Sequence, residues 1–346
     1  MSKVQTWHEM KPARQTWPQR WSQIKSSGKF SDKPLQLYLL LDAAQKRDLL
    51  ALVPESGAEA LFAFTRSTKE GKVSPWLVHL GRHGQSLKKP QQDLLNAVLD
   101  VVQASPCATL LASECEMAVL IAHLRRAMDP KMPDKDSSYL AFWDPAVLAV
   151  LLGQRDLDTQ SRIEPVLKSA QSRALLGPIA RWWCWSRSGR LHEYAVSDFT
   201  ELSASMSMPL PLPLQLSAAQ VEALVQGNVP DLLIYFVNLN QVHLRDKLPP
   251  LAMHWFVRQQ LVFARRYGLT GTRDLLNYLC LALIGGARVD QIPEVAELLA
   301  KVKARKLSFD NFMDEVAPKL DGKDLAEPQV LMAANGLPLT ENQLPR

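Results

Sequence analysis

Long apolar runs, paired cysteines and phosphate-cradling glycine loops are all missing from this 346-residue chain. No uninterrupted apolar stretch approaches the roughly 18–20 residues that a membrane-crossing helix needs, so no membrane contact is expected. The opening residues, MSKVQTWHEMKPARQTW, hold no apolar core of the kind a secretory signal requires, and the expected location is cytoplasmic. The 4 cysteines, Cys107, Cys115, Cys184 and Cys280, form no C-x-x-C pair, and three of them sit in apolar runs. Free cysteine there behaves as a small hydrophobe, so neither a disulfide framework nor a zinc site is expected. The patterns H-E-x-x-H, G-x-S-x-G, G-x-x-x-x-G-K-S/T and G-x-G-x-x-G do not occur. A zinc protease, a nucleophile elbow and the two common nucleotide loops therefore lack support. The expectation is a protein without cofactor, metal or catalytic residues. An enzyme whose site is assembled only in the fold stays open as an alternative, because paired carboxylates meet in space and not in sequence.

What is present is an ordinary globular balance, 47% hydrophobic and 22% charged, in a chain long enough for two lobes. The net charge is +5, and Lys3, Lys11, Arg14, Arg20, Lys25, Lys29 and Lys33 against Glu9 and Asp32 account for all of it. The remaining body is formally neutral. A body that grips DNA spreads positive charge over its surface, so nucleic acid is not an expected partner there. Residues 1–33 read as a basic arm bearing Trp7, Trp17 and Trp21. Either it packs on the body through its indoles, or it contacts a partner; in the second case stacking on a single nucleic-acid strand is one alternative.

The texture then changes. Residues 34–202 alternate apolar runs with helical periodicity. Strands are expected at Leu35–Leu41, Leu61–Phe64, Trp76–Leu80, Ala108–Leu111, Tyr139–Trp143 and through the Trp-rich run up to Trp185, with a hairpin turn at Ser188-Gly189 leading to Leu191–Val196. Helices are expected over residues 91–103 and 116–128, and Asp144-Pro145 reads as a helix start. Residues 203–216 carry Pro209, Pro211 and Pro213 on alternate positions, the pattern of an extended linker. Residues 217–320 read as helices only, opened by a capping box at Ser217 and Gln220. Residues 321–346 lose periodicity and read as a mobile tail. The expected fold class is α+β: a mixed α/β lobe followed by an all-helical lobe.

The segment Arg181-Trp182-Trp183-Cys184-Trp185 is the densest aromatic run. On a strand, Trp183 shares a face with Arg181 and Trp185, while Trp182 and Cys184 take the other. Both faces are apolar, so the strand is either core on two sides or the floor of a groove that holds an apolar segment of a partner. Under the second reading Trp143, Trp182, Trp183 and Trp185 form or back the contact surface. Asp144 and Arg181 are then its polar anchors. Asp144 reads first as the helix cap.

Five segments resemble one family. Leu35–Gln45 (LQLYLLLDAAQ) is similar to the opening strand of DUF4123 domains, an apolar strand running into Asp-Gly/Ala-Ala. Ser74–Leu80 (SPWLVHL) resembles a second segment of that family, with Trp76 at an aromatic position. Tyr139–Leu148 (YLAFWDPAVL) resembles a third, with Ala141 where arginine is common. Leu176–Trp183 (LGPIARWW) resembles a fourth. Ala264–Gly286 followed by Pro293-Glu294-Val295 resembles the family's helix pair. The resemblance spans about residues 35–316. It implies a chaperone, or adaptor, of type VI secretion. Such a protein binds a cognate toxic effector, promotes its docking on the VgrG spike, sometimes with a small co-chaperone, and is not itself secreted.

Overall fold

The computed structural model describes residues 13–24, 34–63, 67–103, 105–134, 138–155, 162–186, 189–199, 211–334, 336 and 338–345. Trp7, Ser188, Pro209 and most of the basic arm lie outside the described residues. The chain divides into two compact units: residues 1–155 with 162–224, and residues 156–161 with 225–346.

The first unit begins with α1 (Ala13–Gln23), β1 (Gln36–Asp42), α2 (Arg47–Leu50), β2 (Ala58–Ala60), β3 (Pro75–Arg82), α3 (Lys89–Val101), β4 (Ala108–Ser113) and α4 (Met117–Met128). It continues with α5 (Pro145–Leu152), β5 (Gln154–Arg155), β6 (Arg162–Ile163), α6 (Ser169–Leu176), β7 (Ile179–Trp185) and β8 (Leu191–Tyr194). Six strands form one sheet in the order β2-β3-β1-β4-β7-β8, and each neighbouring pair is antiparallel. β5 and β6 pair separately.

All seven residues of β1 are buried, because the sheet is covered on both faces. Leu37, Leu39 and Leu41 pack with Trp183, Trp185, α3 and Trp17 of α1. Tyr38 and Leu40 pack on the other face with Trp182, Cys184, α4, α5 and α6. The period of two along a strand sorts these residues between the two cores. It also explains why β1 reads as a continuous apolar run rather than an alternating one.

Several expectations are corrected. Of the strand expected at Leu61–Phe64, Phe64 lies outside the described residues and Leu61, Phe62 and Ala63 are not a strand: the strand is β2, and the chain turns beyond it, with Ala63 at a φ of 57°. Tyr139–Trp143 is not a strand either. Phe142 N donates to Leu140 O at 2.8 Å and Asp144 N to Ala141 O at 3.0 Å, which folds the segment into tight turns before α5. The described part of the expected linker is built into the first unit. Leu212, Leu214 and Leu216 are buried in its core, Lys131 N donates to Leu214 O and Leu216 N to Lys131 O. The alternating leucines are core positions, as on a half-buried strand. The arm is likewise partly structural: α1 runs through Pro18, buries Trp17 completely, and ties Ala13 N to Gln103 Oε1 at 2.9 Å.

The second unit takes over within α7 (Ala218–Asn240) and adds α8 (Val242–Arg245), α9 (Pro250–Arg266), α10 (Thr272–Gly285), α11 (Pro293–Lys303) and α12 (Phe309–Leu320). α7 starts at the expected reciprocal cap, Ser217 N to Gln220 Oε1 at 3.0 Å and Gln220 N to Ser217 Oγ at 3.3 Å. It continues through Pro230 to Asn240. Gly268 and Gly286 follow α9 and α10 at φ of 81° and 90°, the left-handed conformation that ends helices at little steric cost. The final segment is corrected too. Gln259 of α9 donates to Leu331 O at 2.9 Å and Leu339 O at 3.1 Å and accepts from Leu331 N, and Leu344 is buried. The tail is pinned along α9 by this buried amide and by Arg266, which donates to Leu344 O and Pro345 O.

One buried group opposes folding. Glu114, just past β4, has both carboxylate oxygens shut from solvent with no hydrogen-bond partner among the described residues. A buried polar group left unpaired costs about 1–3 kcal/mol, and a charged one more. The Glu114→Met variant is expected to be more stable than the parent by about 1–3 kcal/mol at neutral pH. Chemical denaturation of the two proteins in parallel checks this; a less stable variant would show that the carboxylate has a function in the fold.

Candidate functional site

The six residues singled out from sequence separate in the structure. Trp182 and Trp183 are completely buried and Trp185 is 1% exposed. Trp182 faces one core, edge-on to Phe142 at 5.8 Å. Trp183 faces the other, edge-on to Trp17 at 4.9 Å, and its indole N–H donates to Glu193 Oε2 at 2.9 Å. Glu193 of β8 also pairs with Arg181 Nε at 2.9 Å, and Arg181 donates from Nη1 to Ala180 O. Of the two places expected for these indoles, forming a contact surface or backing it, burial leaves Trp182, Trp183 and Trp185 only the second: both faces of β7 are packed into the cores. Two of the arm's tryptophans are engaged in the same way. Trp17 is core, and Trp21 lies half-buried, edge-on to His83 at 4.9 Å.

Asp144 caps α5, accepting from Ala146 N at 2.8 Å. Asp42 at the end of β1 accepts from Ala44 N at 3.0 Å and from the Gln45 side chain at 3.1 Å. Burial pushes the Asp42 carboxyl above its ordinary value, the Gln45 hydrogen bond works against this, and the negative charge of Asp144 adds to the rise. Two segments that resembled the family, LDAAQ and WDPAVL, thus meet at one corner. Each acid there organises its own turn or cap.

Trp143 is 8% exposed and leads to the open surface of the first unit. Its ring meets Phe62 edge-on at 5.5 Å, and Phe62 meets Tyr139 at 4.9 Å. Phe62 and Tyr139 border a groove of about 510 Å³ lined also by Leu61, Ala63, Arg125, Met128, Asp129 and Ser138. Three stretches build it: the turn after β2, the last turn of α4, and the segment before α5. Tyr139 is 64% exposed although Phe62 supports its ring. Arg125 braces the wall, donating to Leu61 O at 3.0 Å and Ala60 O at 2.9 Å and pairing with Glu59 at 2.7 Å. Among the described residues no group of three or more histidine, cysteine or acidic side chains is placed to hold a metal, and no helix is long and apolar enough to cross a membrane.

Sequence reasoning placed Phe62 and Tyr139 on strands and Arg125 at a helix end, so it missed the groove they form. The available signal was weak: an aromatic-rich run, YLAFW, directly before a helix start.

Residues 37–162 match the family model described as Domain of unknown function (DUF4123). The matched stretch includes every residue that lines the groove. Leu176–Trp183 and Ala264–Gly286, which also resembled the family, lie beyond its end. No curated protein and no solved structure matches the chain.

Proposed function

We propose that this chain is a cytoplasmic, non-catalytic adaptor that binds a type VI secretion effector and promotes its loading on the VgrG spike. The observation that carries this reading is the location of the groove. It lies wholly within the DUF4123 stretch, and it presents a supported yet exposed aromatic ring. Tyrosines so placed are favoured anchors in protein–protein contacts, where a rigid ring supplies apolar area with a polar tip. Binding is favoured over catalysis because the neighbouring carboxylates, Asp42 and Asp144, are engaged in a turn and a cap. A small co-chaperone fits the same scheme as an additional partner.

The test is co-expression with the effector encoded beside this chain. The effector is expected to co-purify with the chain, and to lose solubility and spike association when the chain is omitted. An effector that is equally soluble and spike-competent alone overturns the proposal.

A further inference from the structure

We infer that the groove receives a segment of a partner protein in which a bulky apolar side chain stands beside a lysine or arginine. The adaptor reading supplies only the source of the segment; its chemistry follows from the groove. Phe62, Met128 and Tyr139 offer apolar area from three sides of a space of about 510 Å³, enough for one large side chain and its flanking backbone. The polar groups choose the neighbour. Arg125 already serves two carbonyls and Glu59, so it does not call for an acidic ligand. By capping Ala60 O and Leu61 O it also covers the end of the edge strand β2, which disfavours docking by strand addition there.

Asp129 has the opposite character. It follows the last residue of α4, where the helix carries its partial negative charge. It is exposed, and it makes no ion pair or hydrogen bond among the described residues. Lys131, the nearest cation in sequence, forms no ion pair with it among the described residues, and Arg126 bonds to Leu212 O instead. Carboxylate and helix end therefore place negative potential beside the apolar walls, and a cationic residue next to an apolar anchor satisfies both.

The experiment titrates the full chain against short fluorescein-labelled peptides in a Gly/Ser background, with Phe-Lys, Phe-Glu or Ala-Lys at the centre. The Phe-Lys peptide is expected to bind about tenfold more tightly than either of the others. Asp129→Lys is expected to reverse the order of Phe-Lys and Phe-Glu. Tyr139→Ala, at an exposed position, is expected to weaken both Phe peptides about tenfold with unchanged melting. Peptides that bind alike or not at all, or a ranking that survives both variants, overturn the inference. The two proposals fail separately. If the effector is captured equally by the parent and both variants, the adaptor stands and the groove assignment falls. If the peptide ranking holds and no effector is captured, the groove assignment stands and the adaptor falls.

Discussion

Trp183→Ala is expected to destabilise the first unit by about 3–5 kcal/mol, the range for removing a large aromatic from a closed core. The indole is fully buried between β4 and β8, where it pairs across with Leu110 and Glu193. Its ring supports Trp17 at 4.9 Å and Trp21 at 6.4 Å, so its loss also loosens α1. Its N–H holds Glu193, which in turn holds Arg181. For a unit of this size the melting temperature should fall by roughly 6–20 °C. Thermal unfolding followed by tryptophan fluorescence and by far-ultraviolet circular dichroism checks this. Tyr139→Ala is the contrast, at an exposed position where truncation changes stability by only about 0.5 kcal/mol. The pair also separates the two readings of the tryptophan strand. If the indoles serve the core, Trp183→Ala retains partner binding at temperatures where it is still folded. If they serve contact, binding is lost there as well.

The same strand shows how far the sequence can be read. Period-two sorting correctly put Trp182 and Cys184 on one face and Trp183 and Trp185 on the other. It could not say whether those faces meet helices or a partner, because that depends on α1, α3 and α4, which arrive from distant parts of the chain. β1, β3, β4 and the helices from α9 to α12 were legible because burial of one or two faces imposes a period along the chain. Local rules broke down where different structures leave the same trace. Tyr139–Trp143 has the apolar, aromatic content of a strand, yet its backbone closes into turns bonded at 2.8 and 3.0 Å. Leu212, Leu214 and Leu216 alternate as buried strand residues do, but the interleaved prolines suggested an extended linker instead. The groove was the least legible feature. Its walls come from residues 61–63, 125–129 and 138–139, and no spacing along the chain links them; the antiparallel sheet and the lie of α4 bring them together.

Gly177→Ala is expected to cost about 3–5 kcal/mol, although it adds one methyl group. Gly177 ends α6 at φ 47° and ψ −114°, backbone that residues with a Cβ adopt only under strain. A Cβ there would lie 2.2 Å from His123 Cε1 and 2.7 Å from Nε2. The imidazole cannot simply withdraw, because His123 Nε2 bonds to Leu175 O at 2.8 Å and joins α4 to the last turn of α6. Two penalties therefore add: the backbone strain, about 1–2 kcal/mol, and the displaced ring with its broken hydrogen bond. The double variant Gly177→Ala/His123→Ala removes the clash and keeps the strain, so it should be less destabilised than the two single changes summed. Strict additivity would show that the ring and the glycine do not touch. Acid supplies a second readout of this contact. Burial holds the His123 pKa below the ordinary 6.5, against the pull of the Leu175 hydrogen bond. The unfolded chain thus takes up a proton first. The stability due to neutral His123 is complete above pH 6.5 and is lost as the pH falls from there through the lower folded value. His79, lowered in the same way, keeps its share of that acid sensitivity. His123→Ala should therefore flatten the decline in stability between neutral and mildly acidic pH without abolishing it; an unchanged slope would mean that the imidazole is not held neutral between the two helices.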